Sequence, residues 1–313
     1  MKKTLSLLFL CAAFLLLFPT SVHADIGPKP SVTITFTGLE NETYYATLLS
    51  ETDSTGPWSK SYNYDDWYDN ETVWQKMNDY EDADGFYFLG CFDDCSETHQ
   101  FRWNYYPPDN FKILLYFPEK DLFLVTEDVY EHYAFDSYYT VDADDALAAS
   151  SMISEENIIA DTETAEEVSA RSEAELDAMF EAERSYDYTW EVISLLCRIV
   201  LTILLELGIA LLFGYRGKKS LLLICVTNVI TQTILNVCLN IINYHNGQYA
   251  FVFYYVWLEI LVFAIEAFIY SKRMEQKSST AGKKLHPCLY ALTANIFSFV
   301  AGIFIAQIVP GIF

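Results

Sequence analysis

Four apolar segments in the C-terminal part of this 313-residue chain limit what it can fold into. They cover residues 190–214, 220–242, 250–270 and 287–309, and each contains 21 to 25 residues. At about 1.5 Å per helical residue, a segment of this length spans the roughly 30 Å hydrocarbon core of a bilayer. The sequence therefore predicts an α-helical bundle of four transmembrane helices over residues 186–313.

Basic residues between these segments orient the predicted helices. The connection 215–219 (YRGKK) contains three Lys/Arg residues and 271–284 contains five, whereas 243–249 (NYHNGQY) contains none. Because basic loops stay in the cytoplasm, the first two connections are predicted to be cytoplasmic. A multi-pass protein of the cell membrane is expected, with residues 25–189 outside the cytoplasm.

The first 24 residues have the features of a secretory signal peptide. Lys2 and Lys3 precede a 14-residue apolar core, Leu5–Phe18, and Ala24 closes a small-x-small cleavage pattern. A short first transmembrane anchor is the alternative. A cleaved signal places residue 190 outside, in agreement with the loop charges.

Residues 25–142 are predicted to form an extracytoplasmic all-β domain, a small antiparallel sandwich or barrel. SVTITFTG (31–38) alternates apolar and polar side chains, and TYYATLLS (43–50) is expected to be its hairpin partner. Short strand-like segments follow at 85–92, 98–106, 111–117, 121–126 and 137–142. A helix is expected over about 70–80, where it would cover the sheet.

Residues 143–185 are rich in acids, alanine and serine, and are expected to be an acidic linker that is helical from about residue 171. Residues 25–190 contain 38 Asp/Glu against 8 Lys/Arg. Phosphates would repel so acidic a region, which argues against a nucleic acid partner.

Cys91 and Cys95 flank Phe-Asp-Asp in a predicted loop between two strands. In an oxidising compartment, cysteines on opposite arms of a tight loop can reach bonding distance, so we expect a disulfide between them. A redox role is less favoured because the spacing is C-x-x-x-C and no thioredoxin-like pattern surrounds it.

Other motifs of the domain give weak functional signals. Asp82, Asp84 and Gly85 form a D-x-D-G pattern, but Tyr80 and Cys91 stand where a calcium loop needs further carboxylates, so a turn is expected. The aromatic and acidic stretch 58–68 could bind a sugar or a cationic peptide, although half-buried packing is favoured. We find no catalytic constellation and expect no metal or cofactor.

Polar and ionisable side chains recur within the predicted transmembrane helices. The set comprises Arg198, Glu206, Asn228, Gln232, Asn236, Glu259 and Glu266. Its members are spaced mostly by four residues, which places them on one face of each helix, while Glu266 is expected close to the cytoplasmic interface. Because amides and charges are costly against lipid, we expect these faces to meet inside the bundle.

Two interpretations of this polar cluster remain open. In the structural one, amides join the helices and Glu206 or Glu259 pairs with Arg198. In the functional one, the carboxylates bind or relay a proton, a cation or a small solute. In either case, the carboxylates must be paired or protonated.

Several segments resemble a group of functionally uncharacterised membrane proteins of clostridial-type Gram-positive bacteria. The resembling segments are DIGPKPSVTITF, DADGFYFLG, YYPPDNFKILLYFPE, AFDSYYTVD and LLELGIALLFGYRGKKSLLLICVTNVITQTILN. The resemblance implies a bacterial cell membrane and carries no activity, ligand or catalytic residue.

These observations favour a non-enzymatic protein with an exported binding or sensing domain. Both predicted cytoplasmic connections are short, so such a protein would act through a partner. Its expected partners are the lipid bilayer and a membrane protein or further copies of itself. The alternative is a small proton- or cation-coupled transport component that uses the intramembrane carboxylates.

Overall fold

The computed structural model describes residues 28–61, 63, 70–144, 146–147, 180–274, 277–278 and 284–308. The predicted signal peptide, most of the acidic stretch 143–185 and positions 62 and 64–68 of the aromatic stretch 58–68 lie outside the described residues. The described part has a β-rich N-terminal domain followed by a helical C-terminal region.

The elements follow in chain order, and the domain contains twelve strands and one helix among the described residues. They are β1 (Ser31–Thr37), β2 (Tyr45–Ser50), β3 (Ser54–Thr55), β4 (Trp58–Ser59), α1 (Glu71–Asn78), β5 (Tyr87–Phe88), β6 (Asp93–Asp94), β7 (Gln100–Trp103), β8 (Asn110–Phe117), β9 (Leu122–Val125), β10 (Tyr130–Glu131), β11 (Asp136–Asp142) and β12 (Ala182–Arg184). The helical region contains α2 (Thr189–Leu212), α3 (Lys218–Arg273), the short pair β13 (Lys277–Ser278) and β14 (Lys284–Leu285), and α4 (Pro287–Ile308).

Two sheets make up the body of the domain. One has the strand order β12-β11-β1-β7, and the other has the order β10-β8-β2-β5 with β6 beside β2 and β9 beside β8. Most pairs are antiparallel, as predicted, but β1 and β11 run parallel. The expected β1–β2 hairpin is wrong, because the two strands belong to different sheets. Gly38, at φ +80°, turns the chain after β1, and the buried Leu39 and Tyr44 mark the crossing to the second sheet.

The main core lies between the two sheets. Ile34 on β1 and Trp103 on β7 face Leu48 on β2 and Ile113 on β8, and all four are fully buried. The other face of the second sheet is covered by α1, whose Trp74 and neighbours pack on it. Since β8 is covered on both faces, its sequence FKILLYF is a nearly continuous apolar run and does not alternate between apolar and polar residues.

Helix α1 confirms the helix predicted over about 70–80. The Asn70 side chain accepts a hydrogen bond of 3.1 Å from the Val73 backbone N–H and so caps the first turn. Val73, Trp74 and Met77 recur on one face and bury against the sheet.

The domain extends beyond its predicted end at residue 142. Ala143, Leu147 and Phe180 are buried in the core between the sheets, and β12 pairs antiparallel with β11. Both described ends of the stretch 143–185, which was predicted to be a linker, therefore belong to the domain. Strand β12 then reaches α2 through only four residues, 185–188.

Helix α3 is a helical hairpin rather than one straight rod. It breaks at Gly247, where φ is 76° and ψ is 179°. The first arm (218–246) and the second arm (248–273) fold back on each other, since Thr231 bonds to Glu266 and Asn228 to Tyr270 across them. With α2 and α4, the region contains four helical segments among the described residues.

The helices have the length and composition of membrane helices. Among the described residues, α2 and α3 are long and apolar enough to cross a bilayer, and residues 287–302 of α4 form a shorter apolar helix. Leu204, Leu212, Leu222 and Phe268 each expose 64–85% of their surface, whereas the buried positions include many polar residues. This inverted polarity suits a region surrounded by lipid.

Candidate functional site

The polar side chains predicted to converge are brought together inside the helical region. Arg198 and Glu206 of α2, three amides of α3 and Glu266 are all buried. The three amides are Asn228, Gln232 and Asn236, which follow one another every four residues along the first arm. Glu259 is partly buried beside them.

The centre of this site is a carboxyl pair, Glu206 and Glu266. Glu206 lies on α2 and Glu266 on the second arm of α3, and their carboxyl groups are within hydrogen-bonding reach of each other. Both side chains are almost completely buried, at 1% and 0% exposure. Glu266, which the sequence predicted to lie close to the cytoplasmic interface, faces into the bundle.

Four neutral donors surround the carboxyl pair. Asn228 Nδ2 donates to Glu206 Oε2 over 2.6 Å, and the Tyr290 hydroxyl lies 3.4 Å from the same oxygen. The two oxygens of Glu266 accept from Thr231 Oγ1 and from Asn295 Nδ2, each over 2.8 Å. Every helical segment thus contributes to one connected group of polar side chains.

Two of these contributors were missed by sequence reasoning. Tyr270 and Tyr290 are fully buried, and their hydroxyls contact Asn228 and Glu206. A tyrosine in an apolar segment is usually read as a packing residue. The usable signal was only the spacing of about one turn from polar residues of the site, Tyr270 from Glu266 and Tyr290 from Asn295.

Arg198 lies two turns away from the carboxyl pair on α2. Its guanidinium donates to Asn236 Oδ1 over 3.1 Å and lies 5.5 Å and 5.7 Å from the ring centres of Phe251 and Tyr255. The expected pairing of Arg198 with Glu206 is wrong, because eight helical residues separate the two side chains by about 12 Å along the axis. Glu259 lies on the Arg198 side of the bundle and hydrogen-bonds to Tyr255.

A small cavity lies between the Arg198 level and the carboxyl pair. It is lined by Arg198, Thr202, Gln232, Tyr255, Glu259 and Ser298. Thr202 and Ser298 meet across it through a 3.1 Å hydrogen bond between their hydroxyls. The cavity has room for about one water molecule, so it does not hold a bulky solute.

The β-rich domain contacts the turn of the α3 hairpin. The Phe135 backbone N–H donates to the Tyr244 carbonyl over 2.8 Å, and the Tyr133 ring lies 6.2 Å from the Tyr244 ring. A Cβ on Gly247 would lie 2.6 Å from the Phe135 ring, so only glycine allows this approach. The domain is therefore joined to the hairpin by direct contact as well as through the chain.

A groove opens in the domain where the two sheets meet beside β12. It has a volume of about 400 Å³ and is lined by Asn110, Val129, Tyr130, Glu131, Tyr139 and Arg184. Arg184 pairs with Glu131 at its edge. Burial raises the pKa of Tyr130 and of Tyr139, so both hydroxyls are neutral at neutral pH. The groove is large enough for a small ligand.

Cys91 and Cys95 are free, so the predicted disulfide is absent from the structure. The segment between them runs extended along β2, with the Cys91 carbonyl near Thr47 and the Cys95 N–H bonded to Tyr44. Four extended Cα-to-Cα steps place the two cysteine Cα atoms about 13 Å apart, far beyond disulfide range. Burial, aided by the negative charge of Asp93, raises the pKa of both thiols.

The D-x-D-G stretch forms a turn, as predicted. The Asp82 side chain accepts from the Asp84 and Phe86 backbone N–H groups, and Gly85 has φ +80°. The buried Lys112 ammonium lies 3.6 Å from Asp82 and 2.5 Å from Asp84. A protein cation thus occupies the place that calcium would need. Within the described part of the chain no group of three or more His, Cys, Asp or Glu residues could hold a metal ion.

The aromatic stretch 58–68 is described only in part. Trp58 packs edge-on against Trp103 and donates its indole N–H to the Tyr105 carbonyl over 2.7 Å. At this residue the packing interpretation holds, and positions 62 and 64–68 lie outside the described residues.

Comparison of the chain with protein-family models, with curated proteins and with solved structures finds no match. The site must therefore be interpreted from its own geometry.

Proposed function

We propose that this chain is a multi-pass protein of the bacterial cell membrane whose β-rich domain lies outside the cytoplasm and binds or senses a ligand there. Its four helical segments would each cross the bilayer. It would act through a partner membrane protein or further copies of itself, because the connections 215–219 and 271–284 are too short to form a signalling domain.

The contact between Phe135 and the hairpin turn carries this proposal. The turn 243–249 is the connection without basic residues, and the β-rich domain touches it directly. The basic connections lie at the other ends of the same helices. This arrangement supports an outer side that holds the domain and an inner side that holds the basic loops.

Ligand binding in the groove beside β12 would be transmitted to the helices through the chain. Its wall includes Tyr139 on β11 and Arg184 on β12, and only four residues lie between Arg184 and the start of α2. A ligand that shifts β12 would act on α2, and the Phe135 contact would carry the shift to the α3 hairpin.

Full-length protein in lipid nanodiscs can test the proposal by hydrogen exchange. The probes are soluble peptidoglycan fragments, a cationic peptide and calcium ions. We expect at least one probe to slow exchange at 130–139 and to change exchange at 243–247. Arg184→Gln should abolish both effects, whereas Lys76→Gln, on an exposed pair elsewhere in the domain, should keep them. The absence of any response to the three probes would argue against sensing.

The carboxyl pair favours a second candidate function, a small proton- or cation-coupled transport component. Buried acids inside membranes commonly mark ion paths. Vesicles that contain the purified protein and an enclosed pH dye would report proton flux. We expect Glu206→Gln to stop the flux and Glu259→Gln to reduce it. Unchanged flux in both variants, with lowered stability of the helices, would rule out transport.

A further inference from the structure

Among the described residues, no positively charged side chain contacts the carboxyl pair. Its nearest partners are the neutral donors Asn228, Tyr290, Thr231 and Asn295. Among the described helical residues the buried cation is Arg198, two turns further along α2. Two ionised carboxylates in contact cannot persist in a dry interior without a positive charge or a proton between them.

The surroundings favour a proton over a metal ion. At least three of the four carboxyl oxygens already accept hydrogen bonds from N–H or O–H groups, so few lone pairs remain for a cation. A metal site would instead present carbonyl oxygens and additional carboxylates. The titratable groups near the pair are Glu259 and Tyr270, from the second arm, and Tyr290, from α4. The first arm contributes only neutral side chains.

We infer that Glu206 and Glu266 form a proton-binding site in which the two carboxyl groups share a single proton across the α2–α3 contact. The proton lies between one oxygen of each residue. Because both Glu266 oxygens already accept, from Thr231 and from Asn295, the Glu266 oxygen that shares the proton also accepts one of these hydrogen bonds. This inference deepens the second candidate function, since it names the proton as the ligand of the site.

The position of the pair gives the proton two neighbours through which it can exchange. On one side lies the cavity lined by Thr202, Gln232 and Ser298, which has room for about one water molecule. On the other side lie the hydroxyls of Tyr290 and Tyr270. The pair therefore stands between a water-sized space and a group of tyrosines.

Infrared difference spectroscopy on full-length protein in nanodiscs at neutral pH tests this site directly. A protonated carboxyl has a C=O stretching band that a carboxylate lacks. We expect wild-type protein to show this band, Glu206→Gln and Glu266→Gln each to shift it because the one remaining buried acid keeps a proton, and the double variant to lose it. Glu259→Gln, which removes an acid at the Arg198 level, should keep it. A wild-type spectrum without the band, or a band that only Glu259→Gln removes, would overturn the inference.

Carbodiimide labelling supplies a second measurement that needs no variant. The reagent reacts with protonated carboxyls in apolar surroundings: the acid O–H adds across one C=N bond, so the oxygen joins carbon and the proton joins nitrogen. Peptide mass spectrometry should find the label on Glu206 or Glu266, and unlabelled peptides for both would overturn the site. Replacing potassium by sodium should leave labelling unchanged, whereas protection by sodium would indicate a cation site instead.

These experiments separate the proton site from transport. A protein that shows the infrared band and the label but no proton flux has the site and lacks the transport function. A protein that carries flux without the band transports by another route.

Discussion

The backbone N–H of Phe135 donates a hydrogen bond to the carbonyl oxygen of Tyr244, over 2.8 Å, at the point where the β-rich domain meets the helical hairpin. The Phe135 ring fills the space beside Gly247, the residue at which α3 reverses direction. The β-rich domain and the helical hairpin therefore contact each other directly at this point.

Gly247→Ala should separate the domain from the hairpin. The new methyl group would lie 2.6 Å from the Phe135 ring, and the backbone at φ 76° would be strained by about 1–3 kcal/mol. Gly214→Ala is the matched control, because Gly214 also has positive φ (+84°) but no atom within 4 Å of the added Cβ. Hydrogen exchange at 133–138 and 243–247 should accelerate in the first variant only. Equal protection in both variants would mean that the contact does not join the two parts.

Part of the polar site could be predicted from the sequence. Spacing by four placed Arg198 and Glu206 on one face, and Asn228, Gln232 and Asn236 on another, and the structure brings these faces together. The contact between Glu206 and Glu266 was not predicted from their positions along the spans, because α3 continues to Arg273, about one turn past the predicted end of the span. The tyrosine hydroxyls were missed because an aromatic residue has no polar periodicity of its own.

The β-rich domain could also be predicted only in part from the sequence. Alternation located β1 and β11 well, since each has one face in the core. The sequence could not predict that β1 and β2 belong to different sheets. Alternation shows which face of a strand is buried but not which strand it pairs with. Strand β12 was missed because its sequence, AER, is polar and lies at the edge of its sheet.

Lys112→Met should be among the most destabilising single changes in the domain. It would leave the buried Asp82 carboxylate, 1% exposed, without its cation, which typically costs about 3–5 kcal/mol. Lys76→Met, which removes an exposed lysine, should change stability little. Thermal unfolding followed by tryptophan fluorescence would compare the two. The double variant Lys112→Met with Asp82→Asn should recover part of the loss, and no recovery would contradict the assigned pairing.

Cys91 and Cys95 should resist alkylation in the folded protein. Burial raises the pKa of both thiols, so the reactive thiolate is scarce at neutral pH and increases only as the pH rises towards the shifted values. Iodoacetamide labelling at pH 7, followed by peptide mass spectrometry, should find neither residue modified before denaturation and both modified after it. Recovery of a peptide with Cys91 bonded to Cys95 would restore the disulfide predicted from the sequence.

Asn295→Leu should weaken the contact of α4 with the hairpin. Asn295 Nδ2 is a donor to Glu266 Oε2 over 2.8 Å, and interhelical hydrogen bonds in membranes contribute about 0.6 kcal/mol and up to roughly 2. Thr293→Val is a suitable control on the same helix, because its hydroxyl donates to the Leu289 carbonyl of its own helix. Steric trapping or detergent denaturation would measure the difference. Equal stability of the two variants would indicate that Glu266 does not depend on α4.

The orientation of the helices can be tested with cysteines placed at the two kinds of connection. Tyr249→Cys, in the uncharged turn, should react with a membrane-impermeant maleimide applied to intact cells, since Tyr249 is 61% exposed. Lys219→Cys, in the basic connection, should react only after the membrane is permeabilised. Both substitutions belong in a protein whose native cysteines are replaced by alanine, so that the label reports one position. A reversed orientation would place each cysteine on the opposite side of the membrane from the one expected. Labelling of Lys219→Cys in intact cells would therefore refute the orientation, and with it the location of the β-rich domain outside the cytoplasm.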